Sequence, residues 1–206
     1  MNSKTRVLWK KQDQHKGDRW RLFQAVSTAV PAQKVLYPGS YVDVAPSFVF
    51  GDVTYSDMDK RAAMFFADEK GVQQIISEHN GGLDTKMCFV PGDYNTLTLK
   101  EQSFDLLVSL YAGFISEPCG KFLRIGGTLL VNPSHGDAAL AALDERFDLV
   151  GVVTSSKGNY KISNRNLETY MIPKKPQSLT RDSIIKWGRG IGYTKAPFAY
   201  LFRRVI

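Results

Sequence analysis

Cysteine is nearly absent from this 206-residue chain, which has only Cys88 and Cys119. Both lie in apolar stretches without a metal-ligand partner at short spacing. Two such residues cannot make the disulfide framework of a small secreted domain, so a reducing, cytoplasmic setting is expected. Histidine is as sparse: His15, His79 and His135 stand singly, and no metal site is expected. No apolar run approaches the ~18 residues of a membrane span. The opening MNSKTRVLWKKQDQHKGDRW lacks the apolar stretch of a secretory signal, and no membrane partner is expected. A glycine-rich nucleotide fingerprint is also missing. In KVLYPGSYVDVAPSF, from Lys34, an apolar run ends in a turn that holds Gly39 alone, where two or three glycines are the rule. GRGIG (Gly188 to Gly192) has the glycines, but it follows a predicted helix and precedes a predicted strand. That is the reverse of the order a phosphate loop needs, so it reads as a lid or a connector.

What is present is an ordinary globular composition, 43% hydrophobic and 23% charged, in a chain long enough for one substantial core. The net charge of +7 is unevenly spread. Residues 1–21 carry seven Lys/Arg against two Asp, and residues 155–206 carry eleven against Glu168 and Asp182. Between them, nine basic residues face sixteen acidic ones. An acidic body therefore has basic ends.

Hydrophobic periodicity divides the chain into alternating strands and helices. Residues 18–30 place Trp20, Phe23 and Val26 at helical spacing behind a possible Asp18 cap, and Pro31 stops the helix. Strands are predicted at Lys34–Tyr37, at DVTYSD ending on Asp57, and at MCFVPGD, SFDLLVSLYAGF, TLLVN, DLVGVVTS and FAYLFRRV. A helix of only about two turns fits DVAPSFVF, and DKRAAMFFADEK is helical up to a break at Gly71. VQQIISEHNGG is a further helix, and Gly126-Gly127 reads as the break before TLLVN. Several strands are apolar throughout, which predicts an α/β fold: a doubly wound, mostly parallel sheet with helices on both faces. The expected organisation is one domain over 1–206, with an N-terminal helical segment (1–33), a core (34–154) and a basic extension with a closing strand (155–206).

In such sheets ligands bind beyond the carboxyl ends of the strands, where strand order reverses. Those ends carry Gly39-Ser40, Asp57, Asp93, Tyr111 and Asn132. Asp57 follows Gly39 at close to the spacing at which an acid meets a ribose hydroxyl; as the simpler role, Asp57 or Asp59 caps the next helix. Asp43 sits near the start of the first helix, where its charge opposes phosphate and suits a cationic ligand. VNPSHGD puts Asn132, Ser134 and His135 beyond the fifth strand, and His135 is a candidate general base. Cys119, after Pro118, reads as a packed residue at a helix start rather than a nucleophile.

With these residues in place, the chain resembles the class I S-adenosylmethionine-dependent methyltransferases over roughly 34–154. VLYPGS looks like the first motif, VTYSDMD like the second strand with its ribose-binding acid, and FVPGDYNTL like the third. FDLLVSLYAGF is similar to the fourth-strand motif, LRIGGTLLVN to the approach to the fifth strand, and FAYLFRRV to the closing antiparallel strand. The resemblance implies a Rossmann-like fold, S-adenosylmethionine as cofactor, and methyl transfer. It implies Gly39, Ser40, Asp57 and Asp93 as cofactor contacts, and Tyr111, Asn132 and His135 as candidates for positioning the acceptor. The chain departs from the pattern at Tyr37, where the family has an acid, in its single glycine, and in its short first helix. The alternative is thus a non-catalytic binding or adaptor protein of the same fold, its site blocked by Tyr37, Tyr41 or their neighbours. The acceptor is a small molecule, or an RNA guided by the basic C-terminal region, where Lys157, Lys161, Arg165, Lys174, Lys175, Arg181, Lys186 and Arg189 interleave with Tyr160, Tyr170 and Trp187.

Overall fold

In the computed structural model, which describes residues 1–175 and 178–206, the strands form one eight-stranded sheet. They are β1 (Lys34–Pro38), β2 (Asp52–Asp57), β3 (Lys86–Pro91), β4 (Phe104–Ser109), β5 (Leu123–Val131), β6 (Phe147–Ser156), β7 (Asn159–Ser163) and β8 (Ala199–Arg204). Their order is β3-β2-β1-β4-β5-β8-β6-β7. The pairs among β1 to β5 are parallel, β8 is antiparallel to both β5 and β6, and β7 forms a hairpin with β6. Strand order reverses between β1 and β4, so their carboxyl ends flank the natural crevice.

The apolar runs follow from burial on both faces. In β1, Val35 and Tyr37 belong to one core and Leu36 to the other. The first core is roofed by α2 (Asp18–Ala29), whose Leu22, Phe23 and Val26 are fully buried, and by α3 (Lys60–Phe66) and α4 (Glu69–Ser77). The second is covered by α5 (Ser116–Cys119), α6 (Asp137–Leu143) and α7 (Arg181–Trp187). β8 is interior, so Ala199, Tyr200, Leu201 and Phe202 are all buried and its two faces do not alternate in exposure.

Several boundaries differ from the sequence-based expectation. An additional helix, α1 (Ser3–Gln12), precedes α2; it is mostly polar and buries only Thr5. Gly17, not Asp18, caps α2, in a left-handed conformation. The segment after β1 forms only a four-residue 3-10 turn, Ala45–Phe48. The break in the next helix falls before Asp68, which caps α4, while Gly71 lies inside that helix. A Cβ on Gly71 would come 2.6 Å from Asp68 Cγ and 2.7 Å from Met1 Cα, so this glycine makes room for the capping Asp68 and for Met1 rather than ending a helix. Gly126-Gly127 lies within β5, where the register against β4 shifts. Cys88 is exposed on β3, contrary to the apolar setting expected, whereas Cys119 is buried. Among the described residues no helix is long and apolar enough to cross a membrane.

GRGIG is a packed connector. Gly190 N–H donates to the Ser134 carbonyl at 2.9 Å, and a Cβ on Gly190 would lie 2.0 Å from the Pro133 oxygen. Gly190→Ala is therefore expected to lever the α7–β8 connector off the β5–α6 loop, costing about 1–3 kcal/mol. Faster limited proteolysis near residue 190 and a lower melting temperature check this; an unchanged cleavage pattern contradicts it.

Candidate functional site at the strand ends

The turn after β1 is built by backbone geometry. Gly39 takes φ +65°, and the N–H groups of Gly39 and Ser40 donate to the Ser56 carbonyl at 2.7 and 3.3 Å. The close neighbour that keeps position 39 free of a side chain is Ala112: a Cβ on Gly39 would sit 2.2 Å from the Ala112 methyl. Tyr41 follows with φ +50°, an uncommon conformation for a non-glycine residue, held by its N–H donating to Asp57 Oδ2 at 2.7 Å. The other Asp57 oxygen accepts from Asp59 N–H at 2.8 Å. Two amides thus hold the carboxylate at the end of β2, and each oxygen retains a lone pair. Asp59 caps α3 and pairs with Arg61, which holds its pKa down at about 2. The Arg61 guanidinium lies 5.1 Å above the Tyr41 ring, so the Tyr41 backbone is held by Asp57 and one face of its ring by Arg61. Next to Asp57, Met58 is 73% exposed. Asp93, beyond β3, accepts from the Asn95 backbone and side-chain N–H groups and caps a 3-10 turn.

Tyr111, Asn132 and His135 form a second cluster. Asn132 is buried, and its Oδ1 accepts from Tyr111 N–H at 3.3 Å and from Ser134 Oγ–H at 2.8 Å. Ser134 has one hydroxyl hydrogen, and it is used there. The 2.8 Å contact between Ser134 Oγ and His135 Nδ1 then requires Nδ1 to carry the proton, which leaves Nε2 as an acceptor. Tyr111 is half exposed with φ +60°. Asn132 is the hub that joins the end of β4 to the end of β5.

In a third group the expectation for Asp43 needs correction: it does not face the ligand space as a partner for a cation but is buried against Arg19, which the sequence did not single out. Tyr37 points into the core, where its hydroxyl donates to Asp43 at 3.2 Å, so it does not block the cleft. Asp43, 2% exposed, faces the Arg19 guanidinium at 3.6 Å. Burial pushes the Asp43 carboxyl above its usual range, and the positive charge of Arg19 opposes that shift. Arg19 comes from α2 and lies 5.1 Å over the Tyr111 ring and 5.9 Å over Phe198. It lines a cavity of about 690 Å³ above the β1 and β4 ends, together with Tyr41, Arg61, Tyr111 and Phe198. No local motif marks Arg19; only the docking of α2 brings it there.

The basic C-terminal region does not present one continuous face. Tyr160 turns inward, donating to Asp18 at 2.9 Å and packing edge-on against Phe198. Tyr170 lies under Lys195, and Arg181 pairs with Glu117. Lys174, Lys175 and Arg189 instead converge with Trp187 around a groove of about 440 Å³. Among the described residues no group of three or more His, Cys, Asp or Glu could hold a metal ion.

No family model matches the chain, and no curated protein matches it. Solved structures do. A TehB-like SAM-dependent methyltransferase from Corynebacterium glutamicum aligns with 95% of this chain and 94% of its own, at 16% identity and a TM-score of 0.54. A SAM-dependent methyltransferase from Thermotoga maritima covers 97% and 96%, at 13% identity and a TM-score of 0.53. A chain from the Haloferax volcanii complex of the Trm112 methyltransferase activator with a methyltransferase covers 96% and 95%, at 16% identity and 0.54. The fold is that of the class I SAM-dependent methyltransferases: a mostly parallel Rossmann-like sheet, closed by an antiparallel C-terminal strand.

Proposed function

We propose that the cleft at the ends of β1, β2 and β4 binds S-adenosylmethionine, and that this single cytoplasmic domain is a methyltransferase acting on a small-molecule acceptor. The observation that carries the reading is the Asp57 carboxylate, pre-oriented by two backbone amides with a lone pair left on each oxygen for a ribose hydroxyl. The exposed Met58 thioether offers apolar contact for a base, and Arg19 offers donors for a carboxylate. Gly39, Ser40 and Asp93 border the same strand ends. The cofactor supplies an electrophilic methyl group; the chain's task is to bind, orient and manage a proton. His135 Nε2 is the acceptor for a proton leaving the substrate, and Asn132 holds Tyr111 and Ser134 in one arrangement.

Calorimetry with S-adenosylmethionine and its demethylated product tests this reading. Wild type is expected to bind both, and Asp57→Ala to weaken binding by about 100-fold through lost charge-assisted hydrogen bonds. No binding by folded wild type, or undiminished binding by the variant, overturns it. The non-catalytic alternative draws on a specific contact: Ala112, not open space, meets Gly39. That alternative predicts no thermal shift with any adenosine ligand.

An RNA acceptor is the second reading, supported by the groove of Lys174, Lys175, Arg189 and Trp187. The inward turn of Tyr160 and the covered ring of Tyr170 remove two of its stacking platforms, which favours the small molecule. Titration of a generic single-stranded RNA across salt concentrations separates the two. On the small-molecule reading, binding at low salt is weak and unchanged in Lys174→Glu/Lys175→Glu; strong binding that the variant abolishes reverses the order.

A further inference from the structure

The 3-10 turn after β1 is too short to fill the helical layer between α2 and α4, and a cavity of about 390 Å³ remains there. Its apolar walls are Trp9, Trp20, Phe48 and His79. Phe48 and His79 stack at 4.6 Å with 14° between their planes. Trp9 and Trp20 each meet that stack nearly edge-on, at interplanar angles of 72° to 86°. The space is bounded by flat rings set almost at right angles, which give a flat guest both a face and an edge to pack against. His79 Nδ1 lies 2.8 Å from the Ile75 carbonyl, which can only accept; Nδ1 therefore carries the proton and Nε2 is the ring's acceptor. Charge in the lining is partly engaged, and the exposed Lys16 adds a further cation at the rim. Asp43 faces Arg19, Asp13 accepts from Gly17 N–H at 2.6 Å, and Arg21 donates to the Gly158 and Lys16 carbonyls. Three cations (Lys16, Arg19 and Arg21) against two carboxylates (Asp13 and Asp43) leave a lining that does not favour a positively charged guest.

We infer that this cavity is a binding site for a planar heteroaromatic compound of one or two fused rings that carries no positive charge, held between Trp9 and Trp20 on the Phe48–His79 stack. The inference does not rest on the methyl-transfer reading, because none of these four aromatic residues borders Asp57 or Asn132 in the contacts described above. The ring's polar edge meets amide and imidazole groups, and its faces meet carbon, the usual division of labour in a small-molecule pocket.

Intrinsic fluorescence tests this with Trp187→Phe as the background, so that Trp9 and Trp20 alone report. Adenine and benzimidazole serve as planar probes, choline as a cationic probe and cyclohexanecarboxamide as a non-planar one. Saturable quenching by both planar probes is expected, with affinity falling about 5–10-fold in Trp20→Ala. Gln24→Trp, at an exposed position on α2 that borders the cavity, is expected to fill it and abolish binding without loss of fold; it is read by calorimetry, because the new indole would itself fluoresce. Asp57→Ala should leave probe binding unchanged even where it removes S-adenosylmethionine binding, so the two readings fail separately. Absence of quenching by both planar probes, tighter binding of choline, or full binding in folded Gln24→Trp overturns the assignment.

Discussion

Arg19→Ala is expected to destabilise the protein by about 2–4 kcal/mol, below the usual range for breaking a buried ion pair because the guanidinium keeps some solvent contact. For a domain of this size that is a fall in Tm of about 5–15 °C. The variant leaves the Asp43 carboxylate 2% exposed, with only the Tyr37 hydroxyl and the Ala45 N–H as partners. Burial already raises its folded pKa above the ordinary value of 3.8, and loss of the opposing charge raises it further. A carboxyl with a raised folded pKa binds its proton more tightly when folded. Its contribution to stability is complete below pH 3.8 and is lost as pH rises through the folded value. The deficit of Arg19→Ala relative to wild type should therefore shrink on going from pH 7.5 towards 4.5, and Arg19→Ala/Asp43→Asn should recover part of it at neutral pH. Thermal melts at the two pH values check this; an equal deficit at both removes Asp43 as the cause. The same variant should weaken S-adenosylmethionine binding if Arg19 meets the ligand's carboxylate.

Asp137→Ala should be at least as damaging, by about 3–5 kcal/mol, because it strips the acceptor from several buried donors at once. Asp137 is 1% exposed and starts α6. It accepts from Ser109 Oγ–H at 2.6 Å, from the Ile115 and Ser116 N–H groups at 3.1 Å, and from the Ser116 hydroxyl. Burial pushes its carboxyl up, while these hydrogen bonds pull the other way. The carboxylate therefore ties the end of β4 to the starts of α5 and α6, across the loop that contains Tyr111 and Ala112. Asp137→Asn is not conservative here, since its NH₂ group would face N–H and O–H donors. An intermediate loss is expected for it, and chemical denaturation orders the three proteins. Equal stability of wild type and Asp137→Ala would show that the node carries no net energy.

The strands were legible because burial on both faces writes an unbroken apolar run, as in β1 and β4, and the reversal point between them puts the turn at Gly39 beside the loop of Tyr111 and Ala112. Asp57 was legible as an acid at the end of the second strand. α1 was not, because it is largely solvated and has no apolar period to read. Nor was the break between α3 and α4, where Gly71 looks like a terminator until Asp68 and Met1 are packed against it. The C-terminal cations were legible as a group but not as a surface. Whether Tyr160 faces solvent or Asp18 depends on where the β6–β7 hairpin meets α2.

Local pattern by itself thus determined seven of the eight strands, the mostly parallel sense of the sheet and the acids at its carboxyl edge, because these depend on which residues must leave water. Only the tertiary structure decided what stands over that edge. Arg19 reaches it from a helix before the first strand, and Ala112 closes on Gly39 from the loop after the fourth. Such contacts join residues distant in the chain and are set by how whole helices and loops dock, a choice that no short-range period encodes.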